Sequence, residues 1–272
     1  MDSKVIYDIF YLLAALLFIL GVKLMGHPRT ARRGNMFGVL GMTIAIVISM
    51  MKANEQLMSP QIFPLFVVGL CCMIGILFGA ILATRVKMTE MPQLVAVFNG
   101  IGGLASVLVA GAALVVATDF SLDENIATAL SGFIGSITFI GSAVAAGKLQ
   151  ELKFFKKGFL LPTFLRHILN LALVCGCGWA GYLLLNASSD QAVLLYVAIC
   201  GLGFILGYTL TAPIGGADMP VVIALLNSYS GLAASATGFV VGSNILIIAG
   251  SLVGASGIIL TSLQRSWGIR QS

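Results

Sequence analysis

The chain has 272 residues, 59% of them hydrophobic and 9% charged, with a mean hydropathy of +1.05 and a formal net charge of +5. So few charges exclude a soluble domain, and unbroken apolar runs of about 18 residues or more exclude a β-barrel, whose strands alternate over about ten residues. The positive charge does not point to nucleic acid, because the basic residues sit in short loops between apolar runs, where membrane topology accounts for them. The expected fold is all-α: a polytopic transmembrane helix bundle forming a single domain over 1–272.

Nine spans are predicted, at roughly 5–25, 34–51, 62–84, 91–117, 125–147, 165–186, 191–211, 219–241 and 244–263. The second and ninth are short. The first run is read as a span rather than a signal peptide, since it lacks a small-residue cleavage site and positive charge follows it. With nine spans, Lys23, Arg29, Arg32, Arg33, Arg85, Lys87, Lys148, Lys153, Lys156, Lys157, Arg166, Arg265 and Arg270 share one side, and only Lys4 and Lys52 fall on the other. Asp119, Asp123, Glu124 and Asp190 lie in the opposite loops. Basic loops stay inside, so the N-terminus is expected outside and the C-terminus in the cytoplasm or matrix. Cys71, Cys72, Cys175, Cys177 and Cys200 fall within apolar runs and read as small core residues, with no metal-ligand spacing. The two histidines, His27 and His167, belong to the basic side.

An internal repeat marks the fourth and eighth spans. Residues 91–106 read MPQLVAVFNGIGGLAS and residues 219–234 read MPVVIALLNSYSGLAA, each after an acid, Glu90 or Asp218. Pro92 and Pro220 suit the first helical turn, where a missing N–H is harmless. Each helix then places an asparagine, Asn99 or Asn227, about two turns in. Being four spans apart, the two helices run parallel, with Glu90 and Asp218 at their inner mouths, where capping of the helix dipole and a functional role at the mouth stand as equal readings of both acids. Gly215 and Gly216 precede the second acid and permit unusual backbone angles and a mobile turn. After Asn227, the residues Ser230, Gly231, Ala234, Ser235 and Gly238 recur at three and four, a small and polar face that serves either helix packing or a polar pathway. Gly250 and Gly254 form a GxxxG that reads as close helix contact. Gly100, Gly102 and Gly103 imitate a dinucleotide fingerprint only superficially, because they lie inside an apolar helix.

No catalytic set, phosphate-binding loop or metal cluster is legible, so redox chemistry is not expected of the chain alone. What the spans offer is neutral: Asn99, Ser106, Thr138, Ser142, Asn170, Asn227, Ser228, Ser230 and Ser235. Such groups both donate and accept, and so order water without carrying charge.

The segments GGADMPVVIALLNSYSGLAASATGF, TEMPQLVAVFNGIGGLASVLV, GSITFIGSAVAAGKL and LVGASGIIL closely resemble the β subunit of proton-translocating nicotinamide nucleotide transhydrogenases, and the resemblance runs through nearly the whole chain. It implies the membrane part of an enzyme that moves hydride between NAD(H) and NADP(H) in soluble domains and couples this to proton passage. It implies no cofactor or metal on this chain; the partners would be α-type membrane helices, an NAD(H)-binding domain and an NADP(H)-binding domain, assembled as a dimer in a lipid bilayer. The bacterial cytoplasmic membrane is the expected location, ahead of the mitochondrial inner membrane. The family's β subunit continues into its NADP(H)-binding domain, whereas this sequence stops at Ser272, which implies a truncated form.

Carried over by resemblance, Asn227 is a polar channel position, Ser142 a channel serine, and Asp218 an inner-mouth position facing the NADP(H) domain. Two departures stand out. Many members have a histidine central to the proton path where this chain has Asn99, and some have an aspartate where it has Ile245. The titratable group is therefore expected on a partner subunit. Two other classes remain open on sequence alone: a secondary transporter of a small solute, suggested by the repeat, and a structural scaffold in which the asparagines lock helices together.

Overall fold

The computed structural model describes residues 3–56, 62–116, 120–156 and 161–271, and among these every regular element is helical. The helices are α1 (Ser3–Met25), α2 (Ala31–Gln56), α3 (Ile62–Arg85), α4 (Met91–Val116), α5 (Leu122–Leu149), α6 (Lys153–Lys156), α7 (Thr163–Leu184), α8 (Ser189–Thr211), α9 (Met219–Val240) and α10 (Asn244–Gln271). Short 3-10 turns, Met88–Glu90 and Gly216–Asp218, lead into α4 and α9. Among the described residues eight helices are long and apolar enough to cross a membrane, and the apolar part of α10 runs over Asn244–Ile259.

Two helices run beyond their expected spans, α2 with 26 residues and α10 with 28, although the apolar part of α10 is short as expected. Hydropathy marks only the apolar stretch, whereas the backbone ladder continues through polar flanks such as Arg32 and Arg33, or Lys52 and Glu55. Asp119 and Lys157, used above for sidedness, lie outside the described residues, as do the side chains of Lys4, Lys156, Arg265 and Arg270. The cysteines also divide. Cys177 and Cys200 are buried, but Cys71 and Cys175 are exposed on their helices, where a weakly polar thiol suits an apolar environment as well as a core.

Contacts separate two compact units, Met1–Val86 and Lys87–Ser272. In the first, α1 packs on α2; a Cβ at Gly21 would lie 3.0 Å from Gly34 O, and the Tyr11 hydroxyl meets Ser49 Oγ at 3.0 Å.

In the second unit α5 is the hub, with 61% of its apolar window buried against at most 39% for any other span. A capping box starts it: the Ser121 hydroxyl accepts the Glu124 N–H at 3.3 Å, and the Glu124 carboxylate accepts the Ser121 N–H at 2.8 Å. Its Ala, Gly and Ser residues then let α4, α8 and α9 approach on separate sides. At the α4 contact a Cβ on Gly103 would stand 2.7 Å from Gly135 O, so only glycine fits that crossing. At α8, the Tyr196 ring covers Gly132 and its hydroxyl donates to Val107 O at 2.7 Å, joining α8 to α4. After Leu149, Glu151 takes a left-handed φ of 53° and turns the chain into α6, whose Phe155 lies over Gly147.

Candidate functional site

Asn99 projects from α4 toward α5, where its Nδ2 donates to Ser142 Oγ at 2.9 Å. Both side chains are buried, Asn99 at 7% exposure and Ser142 at 1%. Asn99 Oδ1 is buried too, and has no hydrogen-bond partner among the described residues. An unmatched buried acceptor costs about 1–3 kcal/mol, so this oxygen is a place for a water or a donor from outside the chain. Gly100 makes room for the pair, since a Cβ there would stand 3.2 Å from Ser142 Cβ.

Further along the same seam the polar contacts involve three helices. Ser131 Oγ of α5 donates to Ser106 O of α4 at 3.2 Å and lies 2.6 Å from Thr237 Oγ1 of α9. Thr128, Ser136 and Thr138 are fully buried on α5 as well, and Ser136 Oγ has no partner among the described residues. Sequence reasoning did not single out Ser131 or Thr237, because a lone hydroxyl within an apolar run carries no signal of what faces it.

Asn227 occupies the ninth position of α9, as Asn99 does of α4, yet its surroundings differ. It is half-buried, its side chain makes no hydrogen bond among the described residues, and its carbonyl accepts from Ser230 Oγ at 2.8 Å. No hydrogen bond joins the two asparagines, although α4 and α9 are in contact. The expected single face of α9 is divided between two surroundings. α10 covers Gly231, Ser235 and Gly238, and leaves Asn227, Ser230 and Ala234 half-buried. Ser235 Oγ is engaged with Ser251 Oγ at 3.0 Å, while a Cβ on Gly231 would lie 2.8 Å from Gly250 O and 2.9 Å from Gly254 Cα. Asn170 is taken up between α7 and α8, accepting from Thr209 Oγ1 at 2.7 Å.

At the helix starts, the two acids behave differently. The Glu90 carboxylate accepts the Lys87 N–H at 3.2 Å, whereas Asp218 is exposed and makes no side-chain cap hydrogen bond to α9. Gly215 and Gly216 are exposed, and a Cβ on either would meet nothing within 4 Å. Gly215 has φ −70°, and neither glycine uses a positive φ, so the unusual angles expected there are not required. The local chain would accept a side chain at both positions.

Among the described residues no Asp, Glu, His, Lys or Arg is buried, and no three potential ligands cluster as a metal site. His27 and His167 are exposed. The apolar groove between α5, α7 and α8, about 340 Å³ and lined by residues such as Phe133, Val174 and Gly178, contains none of these polar groups.

The family described as "NAD(P) transhydrogenase beta subunit" matches residues 7–266. The chain belongs to that family. Two proteins named NAD(P) transhydrogenase subunit beta, both from Rhodospirillum rubrum and one from a designated strain, are each 40% identical over 259 residues, covering 92% of this chain and 53% of the relative. The chain thus spans about half the length of the curated relatives it matches. The matched region includes the buried pair of Asn99 and Ser142 and the half-buried Asn227.

Proposed function

We propose that this chain is the membrane, proton-conducting part of a proton-translocating NAD(P) transhydrogenase. Hydride moves between NAD(H) and NADP(H) on soluble domains, and this chain couples that transfer to proton passage. The observation that carries the reading is the buried amide of Asn99, bonded on one side to Ser142 and unmatched on the other. A neutral amide and hydroxyl offer both a donor and an acceptor to a file of water. Asn227 and Ser230, half-buried on α9, add further neutral polar groups to this lining. Ser235 holds α10 beside it, and Gly231, Gly238, Gly250 and Gly254 let those two helices close.

Among the described residues no Asp, Glu, His, Lys or Arg is buried, which supports a proton-binding group contributed by a partner membrane helix. The exposed loop with Gly215, Gly216 and Asp218 receives the NADP(H)-binding domain, and Glu90 stands at the equivalent place on α4. The free carboxylate of Asp218 and the unneeded glycines support this, because a close backbone approach from outside explains what the local chain does not. The Lys and Arg split supports a topology with that loop inside and the N-terminus outside, and the membrane assigned here is the bacterial cytoplasmic one. The complete enzyme works as a dimer that also contains an NAD(H)-binding domain and α-type helices.

The test is co-reconstitution of the chain with these partners in liposomes, with NADPH and an NAD analogue added outside. A pH change inside that follows nucleotide turnover and collapses with uncoupler is expected. Turnover without any pH change refutes the proposal.

A further inference from the structure

The last turn of α5 carries contacts that the family match does not assign. Lys148 Nζ donates to the carbonyl oxygens of Ala212 and Ile214, the latter at 2.6 Å. The adjacent Leu149 O accepts from Gln93 Nε2 at 3.2 Å. One helical turn therefore holds both approaches to the repeat. Lys148 grips loop 212–218, which leads into α9, and Leu149 grips the first turn of α4, three residues after Glu90.

The chemistry suits a latch. A helix end leaves its last carbonyls unpaired, and a cation there is favoured by the helix dipole. Ala212 caps α8 and Ile214 follows it, so one ammonium fixes both the helix end and the start of the loop. The loop side of the latch rests on a packed base. Ile214 and Leu149 pack on a cluster of Ala96, Ala145, Met219 and Ile223, drawn from α4, α5 and α9. Ser142 lies six residues before Lys148 on the same helix, about 9 Å along its axis. One continuous helix thus joins the loop contact to the bond between Ser142 and Asn99.

We propose that Lys148 is a positioning residue that ties loop 212–218 to α5, so that a soluble domain docking on the loop changes the fit of Ser142 against Asn99. This rests on the function proposed above, and it adds the part of the chain that carries the coupling. The alternative is that Lys148 only caps α8.

The experiment compares wild type, Lys148→Met and Lys148→Arg in the complete enzyme reconstituted in liposomes. Two rates are read: proton-coupled hydride transfer, and hydride exchange between bound nucleotides that needs no proton crossing. Methionine keeps the chain length without donors, and is expected to lower the coupled rate about tenfold or more while the exchange rate stays within about twofold. Arginine keeps the donors and should retain at least about half of the coupled rate. Equal loss of both rates, or loss of neither, overturns the proposal. Should Lys148→Met not assemble, Lys148→Gln is read by the same criterion, and failure of both to assemble also overturns it, because the lysine is then a folding element. A wild-type enzyme that moves no protons would sink the proposed function itself. A pumping wild type with an unimpaired Lys148→Met sinks this inference alone.

Discussion

Ser142→Ala isolates the buried polar pair. It removes the oxygen to which Asn99 Nδ2 donates at 2.9 Å, while Asn99 Oδ1 is already unmatched. The amide, 7% exposed, then has no protein partner at either end. Leaving one buried donor unsatisfied costs about 1–3 kcal/mol, and the cavity added by one missing oxygen is small, so a loss in that range is expected. Asn99→Leu should cost a similar amount by stranding the Ser142 hydroxyl. The double variant strands neither group, and removing both partners together is nearly neutral. The two single losses should therefore exceed the double loss by about 0.5–3 kcal/mol. Equilibrium unfolding in mixed detergent micelles, followed by circular dichroism, gives all three values. Additivity within about 0.5 kcal/mol would mean that the two side chains are not coupled and that Asn99 and Ser142 do not form a pair.

Gly103→Ala should destabilise by about 1–3 kcal/mol, because its Cβ would meet Gly135 O at 2.7 Å, whereas Gly102→Ala, facing open space, should stabilise by about 0.5–1 kcal/mol; thermal melts of both variants test the contrast. Cysteines placed at Ser188 and at Lys153 should label from opposite sides of the membrane, and labelling from one side would refute the nine-span orientation. Calorimetric titration of the purified chain with NADPH should find no micromolar site, and a tight site would mean that the glycines at 100–103 had been misread as packing residues.

The spans were legible because an apolar run about 20 residues long has few structural options in a bilayer. Their ends were less so, since Arg32 and Lys52 continue the α2 ladder beyond the apolar stretch. The repeat was legible in register, and both copies do begin with a 3-10 turn and place their asparagine at the ninth helical position. What each asparagine touches was not. Ser142 is 43 residues from Asn99, and only the crossing of α4 with α5 brings them together. Periodicity also overstated the unity of the α9 face: Asn227 and Ser235 differ by eight residues, which is about 80° around a helix. That angle is enough to put Ser235 under α10 while Asn227 remains half-open. Lys148 counted only as one inner charge, because its acceptors are backbone carbonyls 64 and 66 residues away and carry no side-chain signature.

If water held by this chain's neutral side chains passes the proton, Asn227→Leu in the complete enzyme should block it. Leucine has similar bulk but offers water neither donor nor acceptor. Proton pumping and nucleotide turnover are recorded together in liposomes, beside the hydride exchange that needs no proton to cross. Pumping and the coupled turnover should fall together by about tenfold or more, with the uncoupled exchange nearly unchanged. Pumping at the wild-type rate would show that Asn227 only packs helices and that no proton passes along water held by it.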